Sequence, residues 1–129
     1  MASQNTKKRI LVVDDERDIT LALHLGLEAG GFDVDAFTDP KLALSSFKPG
    51  SYNLVLIDIM MPEMHGFELY ERLKKLDPDV KMCFLTASDL YHQKIREVEH
   101  YTLNKDLFLQ KPISTDDLIR EINKKIDST

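Results

Sequence analysis

The 129-residue sequence has one cysteine, Cys83, inside the apolar run VKMCFLT. A single cysteine excludes an internal disulfide and a cysteine-based zinc site. Its plainest role is that of a small hydrophobe within a strand. No apolar run approaches the length needed to span a bilayer, so no membrane segment is expected. The N-terminal MASQNTKK is polar and lacks the apolar core of a secretory signal. Residues 1–8 therefore read as a disordered tail, and the protein as cytoplasmic. Positive charge is also short: 17 Lys and Arg stand against 22 Asp and Glu, a formal net charge of −5. Direct nucleic-acid binding would show as a basic stripe, and none is present. An anionic membrane surface is disfavoured on the same ground. Internal repeats, low-complexity tracts and Gly/Ser linkers are lacking. One domain over 9–127 is expected, long enough to bury a single sizeable core.

What the chain does have is an alternation of strand-like and helix-like segments. RILVV (9–13) is a short apolar run rich in β-branched residues. Residues 16–29 place Ile19, Ala22, Leu23, Gly26 and Leu27 on one helical face, with Leu21 and Leu25 off it, and Gly30-Gly31 stop the helix. FDVDAF (32–37) alternates as a half-buried strand. DPKLALSSF (39–47) opens with an Asp cap and Pro at the first helical position. NLVLID (53–58) is the most apolar strand. Residues 65–76 carry Phe67, Leu69, Tyr70, Leu73 and Leu76 at helical spacing. VKMCFLT (80–86), a helical pattern over 89–102, LFLQ (107–110) and STDDLIREINKKI (114–126) complete five βα units. Near-continuous apolar strands joined by helices imply a parallel sheet covered on both faces. In such sheets ligands sit at the carboxyl ends of the strands.

Those ends carry chemistry. Strand 1 runs into Asp14-Asp15, strand 3 into Asp58, strand 4 into Thr86 and strand 5 into Lys111-Pro112. With the strands ordered 2-1-3-4-5, strands 1, 3, 4 and 5 are neighbours and these side chains share one crevice. Three carboxylates there need a cation. Oxygen-only donors, with no paired histidine or cysteine, point to a hard ion such as Mg²⁺, with Mn²⁺ a workable substitute. A hydroxyl and an ammonium beside them suit a phosphoryl group.

The motifs LVVDDE, LVLIDIMMPEMHG, FLTAS and LFLQKP, each at a strand end, resemble the receiver domain of two-component response regulators. The resemblance spans residues 9–126. It implies an α/β, doubly wound (βα)5 flavodoxin-like fold with a five-stranded parallel sheet of order 2-1-3-4-5 and helices on both faces. It implies that Asp58 accepts a phosphoryl group from a phosphohistidine on a sensor histidine kinase or histidine phosphotransfer protein. Mg²⁺ would be held by Asp15, Asp58 and the backbone carbonyl of Met60, with Asp14 acting through water. Lys111 and Thr86 would hold phosphoryl oxygens, a cis bond before Pro112 would aim the lysine, and Gly66 would serve a turn that needs no Cβ. Phe108 would follow Thr86 inward and change the surface of the fourth helical segment, fifth strand and fifth helix. A downstream effector would read that surface, and it leaves a homodimer open. The kinase would dock through Glu16, Ile19, Pro112 and Ile113.

Two other function classes were open to these residues. A haloacid-dehalogenase-like phosphohydrolase shares the strand-end Asp nucleophile but needs a second Asp two residues on, where this chain has Met60. A pseudo-receiver acting only through protein contacts would be expected to lose Asp58, Lys111 or the acid pair, and all are retained. The expected protein is thus a phosphoacceptor module, not an enzyme acting on an external substrate. It departs from the family at HYTLNKDLF (100–108), which lacks the usual glycine. His65 stands where the family more often has Asp.

Overall fold

In this computed structural model, residues 7–59, 61, 64–87 and 107–127 are described. The elements are β1 (Arg9–Val13), α1 (Arg17–Ala29), β2 (Asp33–Phe37), α2 (Pro40–Ser46), β3 (Leu54–Asp58), α3 (Gly66–Leu76), β4 (Met82–Ala87), β5 (Phe108–Lys111) and the C-terminal helix α4 (Thr115–Asp127). The strands form one parallel sheet of order β2-β1-β3-β4-β5. This is the doubly wound α/β, flavodoxin-like arrangement that the family resemblance implied. The helical pattern over 89–102 lies outside the described residues.

The sheet separates two cores because side chains alternate across a strand. Leu11, Val13, Val55, Ile57, Met82 and Phe84 point to one face, where Ala43 of α2 and Phe67, Leu69 and Leu73 of α3 close over them. Ile10, Val12, Leu54, Leu56, Cys83 and Leu85 point to the other, under Leu27 of α1 and Leu118 and Ile122 of α4. β3 is buried along its whole length, as its unbroken apolar run requires. Burial of a Leu, Ile or Phe contributes roughly 1.5–3 kcal/mol, so these two layers dominate stability. Burial also pushes the Cys83 thiol up to about 12.

Local chemistry sets the helix boundaries. The Asp39 carboxylate accepts from the Lys41 N–H at the start of α2. The Ser114 hydroxyl accepts from the Asp117 N–H at the start of α4. Gly31 follows α1 at φ +101°, a conformation that favours glycine. α1 and α4 approach closely: a Cβ on Gly26 would stand 3.0 Å from Thr115 Cγ2, and one on Gly30 2.5 Å from Ile119 Cδ1.

Two expectations need correction. Ala22 is exposed, and the inward position it was given is taken by Thr20, which is 6% exposed. Leu76 is 48% exposed, because it is the last residue of α3 and the apolar stripe ends at Leu73. Leu21 and Leu25 are exposed at 56% and 59%, as their place off the helical face predicts.

At the amino ends of the strands, Arg9, Asp35 and Tyr52 tie β1, β2 and the approach to β3 together. The Arg9 guanidinium and the Tyr52 hydroxyl both donate to Asp35 Oδ2 at 2.7 Å. Arg9 also lies over the Tyr52 ring at 5.1 Å. Burial first, then the Asp35 hydrogen bond and charge, raise the Tyr52 hydroxyl to about 12. The ladder reaches Lys8, whose carbonyl accepts from the Asp33 N–H.

Candidate functional site

The carboxyl ends of β1, β3 and β5 bring three functional side chains together by parity and register. Asp14 follows Val12, Asp58 follows Leu56 and Lys111 follows Leu109, each two residues on and so on the same face of the sheet. The Asp14 N–H still donates to the Phe37 carbonyl, continuing the β1–β2 ladder past the end of the strand. Asp14 is 1% exposed and Asp58 7%. One carboxylate oxygen from each of Asp14, Asp15 and Asp58 lies within 4.8 Å of the other two.

Lys111 enters from β5. Its Nζ donates to Asp14 Oδ2 at 3.2 Å and stands 3.7 Å from Asp58 Oδ1. The lysine therefore bridges two acids and stands nearer to Asp14 than to Asp58. Two like charges about 5 Å apart repel by roughly 3 kcal/mol at an effective dielectric of about 20. One ammonium cannot offset three such carboxylates, and a divalent cation can. The donors are all carboxylate oxygens, the set that suits a hard ion. Asp14 has less to offer it directly: Oδ1 accepts from the Glu16 N–H at 3.0 Å and Oδ2 from Lys111.

The remaining residues frame this cluster. Thr86 is the penultimate residue of β4, its backbone paired to Gln110; its side chain and Met60 lie outside what is described. Phe108 is buried, its ring stacked on Phe84 at 5.3 Å and edge-on to Phe67 at 6.1 Å. The Lys111–Pro112 bond is cis. Glu16 is the exposed cap residue of α1 and Ile19 is half-buried. Pro112 is exposed, while Ile113 packs against the core under α1 and α4.

Three contributors were missed or misjudged from sequence. Thr20 donates its buried hydroxyl to the Asp14 carbonyl at 2.6 Å, and lies 2.9 Å from the Glu16 carbonyl. A Thr four residues after the helix cap, Glu16, was the available signal. Gly66 does more than serve a turn: a Cβ there would meet the Asp58 carbonyl at 2.6 Å and Ile59 Cα at 2.8 Å. His65 caps α3, its Nδ1 accepting from the Phe67 N–H at 3.3 Å while the ring stacks on Phe67.

Comparison with known proteins agrees with this geometry. The family model for the response regulator receiver domain matches residues 10–123. The chain is 36% identical over 124 residues to the probable transcriptional regulator ycf27 of Porphyridium aerugineum, covering 94% of this chain and 50% of that protein. It is 33% identical over 126 residues to the response regulator receiver protein CpdR of Brucella abortus, covering 92% and 97% respectively. The chain thus spans about half the length of ycf27 and nearly the whole of CpdR. Among solved structures, a CheY-like response regulator receiver domain protein from Methanospirillum hungatei JF-1 superposes with a TM-score of 0.78. That pair is 29% identical and aligned over 95% of each chain. No described helix is long and apolar enough to cross a membrane. Fold, strand-end chemistry and relatives agree, and the chain belongs to the receiver-domain family of two-component response regulators.

Proposed function

We propose that this chain is a phosphorylation switch that receives a phosphoryl group on Asp58. The donor is a phosphohistidine of a sensor histidine kinase or a histidine phosphotransfer protein. The observation that carries this reading is the bridging of Asp14 and Asp58 by Lys111 Nζ, at 3.2 and 3.7 Å, beside a third carboxylate. A carboxylate oxygen of Asp58 forms the new O–P bond as the P–N bond to the imidazole breaks, and the electron pair leaves with the imidazole nitrogen. The product is an acyl phosphate on Asp58. Asp15, Asp58 and the Met60 carbonyl would hold Mg²⁺, or Mn²⁺ in its place, with Asp14 contributing through water. When bound, the ion neutralises charge on the carboxylates and on the phosphoryl oxygens. Lys111 supplies the second cation and follows the transferred group. The Thr86 hydroxyl donates to another phosphoryl oxygen.

Readout runs through Thr86 and Phe108 to the surface made by residues from about 89 to 126. Phe108 has no hydroxyl, so packing against Phe84 and Phe67 is its means of coupling. The partner kinase docks at Glu16, Ile19, Pro112 and Ile113, which flank the site on the α1 and β5–α4 sides. A downstream effector reads the surface made by residues from about 89 to 126, where two copies of the chain would also meet. The domain acts in the cytoplasm, binds no nucleic acid itself and turns over no external substrate beyond its own phosphorylation and dephosphorylation.

The test is incubation with Mg²⁺ and acetyl phosphate or phosphoramidate, followed by intact mass. Wild type is expected to gain one acid-stable, base-labile phosphoryl group, and Asp58→Asn none. Equal gain in both proteins removes Asp58 from the role.

A further inference from the structure

Among the described residues, the buried polar or charged side chains are Asp14, Thr20 and Asp58. Two belong to the acidic site, and the third touches it from behind. A helical threonine commonly returns its hydroxyl to the carbonyl four residues back, and Thr20 lies 2.9 Å from the Glu16 carbonyl. Its shorter contact, 2.6 Å, goes outside the helix to the Asp14 carbonyl. A hydroxyl has one proton to donate, and the shorter distance marks where it goes.

That carbonyl matters because of what hangs from it. The peptide unit linking residues 14 and 15 is planar, so fixing its oxygen fixes the plane that carries the Asp15 Cα. The other side of residue 14 is already held, its N–H by the Phe37 carbonyl and its Oδ1 by the Glu16 N–H. Thr20 supplies the remaining restraint. From this geometry we infer that Thr20 is a positioning residue for the cation site: its hydroxyl sets the Asp14–Asp15 peptide so that both carboxylates face Asp58. The inference rests on the Mg²⁺ site proposed above.

The test measures Mg²⁺ affinity directly by titration calorimetry, with stability followed by urea melts. Loss of a group that orients metal-binding residues typically weakens affinity by about tenfold to a hundredfold. Thr20→Val keeps the shape and removes the donor, and is expected to weaken Mg²⁺ binding by about that range. Thr20→Ser keeps the donor and is expected to restore affinity to near wild type. Val34→Ala, in β2 within the core under α1 and α4, is the control for destabilisation alone and is expected to leave affinity unchanged. Wild-type affinity in Thr20→Val, or equal weakening in Val34→Ala, overturns the inference. If wild type itself binds no Mg²⁺, the underlying site reading fails, and the inference with it. Should Thr20→Val not fold, Thr20→Ala is judged by the same criteria at low temperature.

Discussion

At the scale of single residues, the site is an electrostatic conflict partly resolved by one lysine. Asp14, Asp15 and Asp58 hold carboxylate oxygens within 4.8 Å of one another, and Lys111 reaches two of those residues. Such sites trade stability for function. Asp15→Asn should therefore leave the metal-free protein at least as stable as wild type, since a repulsive charge is gone. Wild type should gain about 1.4 kcal/mol when Mg²⁺ stands at ten times its dissociation constant. Asp15→Asn should gain much less at the same concentration. Paired urea melts in EDTA and in Mg²⁺ check this, and an equal gain in the two proteins would remove Asp15 from the cation site. The acids themselves were readable in the sequence, because a run of apolar residues ending in carboxylates is conspicuous. Thr20 was not, because helical periodicity ranks residues by hydrophobicity and a buried hydroxyl bonded to a backbone carbonyl does not register on that scale.

At the scale of elements, the start of α3 is packed directly against the backbone of Asp58 and Ile59. The Gly66 N–H donates to the Ile59 carbonyl at 2.9 Å, and the absent Cβ lets the helix start against the Asp58 carbonyl. The obstruction facing an added Cβ is backbone, which cannot rotate aside. Gly66→Ala should therefore cost roughly 1–3 kcal/mol, the usual penalty for overpacking, and should slow phosphorylation of Asp58 by displacing the end of β3. Chemical melts and the mass assay with a small phosphodonor measure the two effects. Unchanged stability would show that the helix start shifts freely. The glycine was legible as a turn residue, but its close approach to Asp58 comes from the tertiary arrangement. The same limit explains Ala22 and Leu76: a 3.6-residue period finds the stripe of a helix, but not where the neighbouring sheet stops covering it.

At the scale of the whole molecule, two cores back a single sheet, and ionisable groups sit inside or against them. Cys83 is fully buried in the core under α1 and α4, and its thiol is raised from 9.0 to about 12, chiefly by burial. Tyr52 is raised from 10.0 to about 12. Both stay protonated in the folded chain at pH values where the unfolded chain ionises. The stability they contribute is whole below pH 9 and is lost as pH rises toward 12. Urea midpoints should fall across that window. Cys83→Ala should be less stable than wild type at pH 8, from the cavity, yet decline less steeply above pH 9. An equal slope in both proteins would mean that the thiol ionises without unfolding. Much of this architecture could be read in advance, because two-faced burial follows from unbroken apolar runs alternating with helices, and the strand order was implied by the resemblance of the strand-end motifs to receiver domains. The Arg9–Asp35–Tyr52 contacts could not, since they join residues from three segments whose pairing only the register reveals.

Those contacts make the sheet unequal along its length. Its amino-terminal end is fastened by one carboxylate shared between a guanidinium and a phenol, while its carboxyl-terminal end holds like charges against each other. Opening from the acidic end relieves repulsion between carboxylates but breaks the contacts of Lys111, the Glu16 N–H and the Thr20 hydroxyl with residue 14; opening from the other end breaks a three-residue clamp. A divalent cation bound among those carboxylates, as proposed above, would turn their mutual repulsion into a shared attraction and tie the ends of β1 and β3 together.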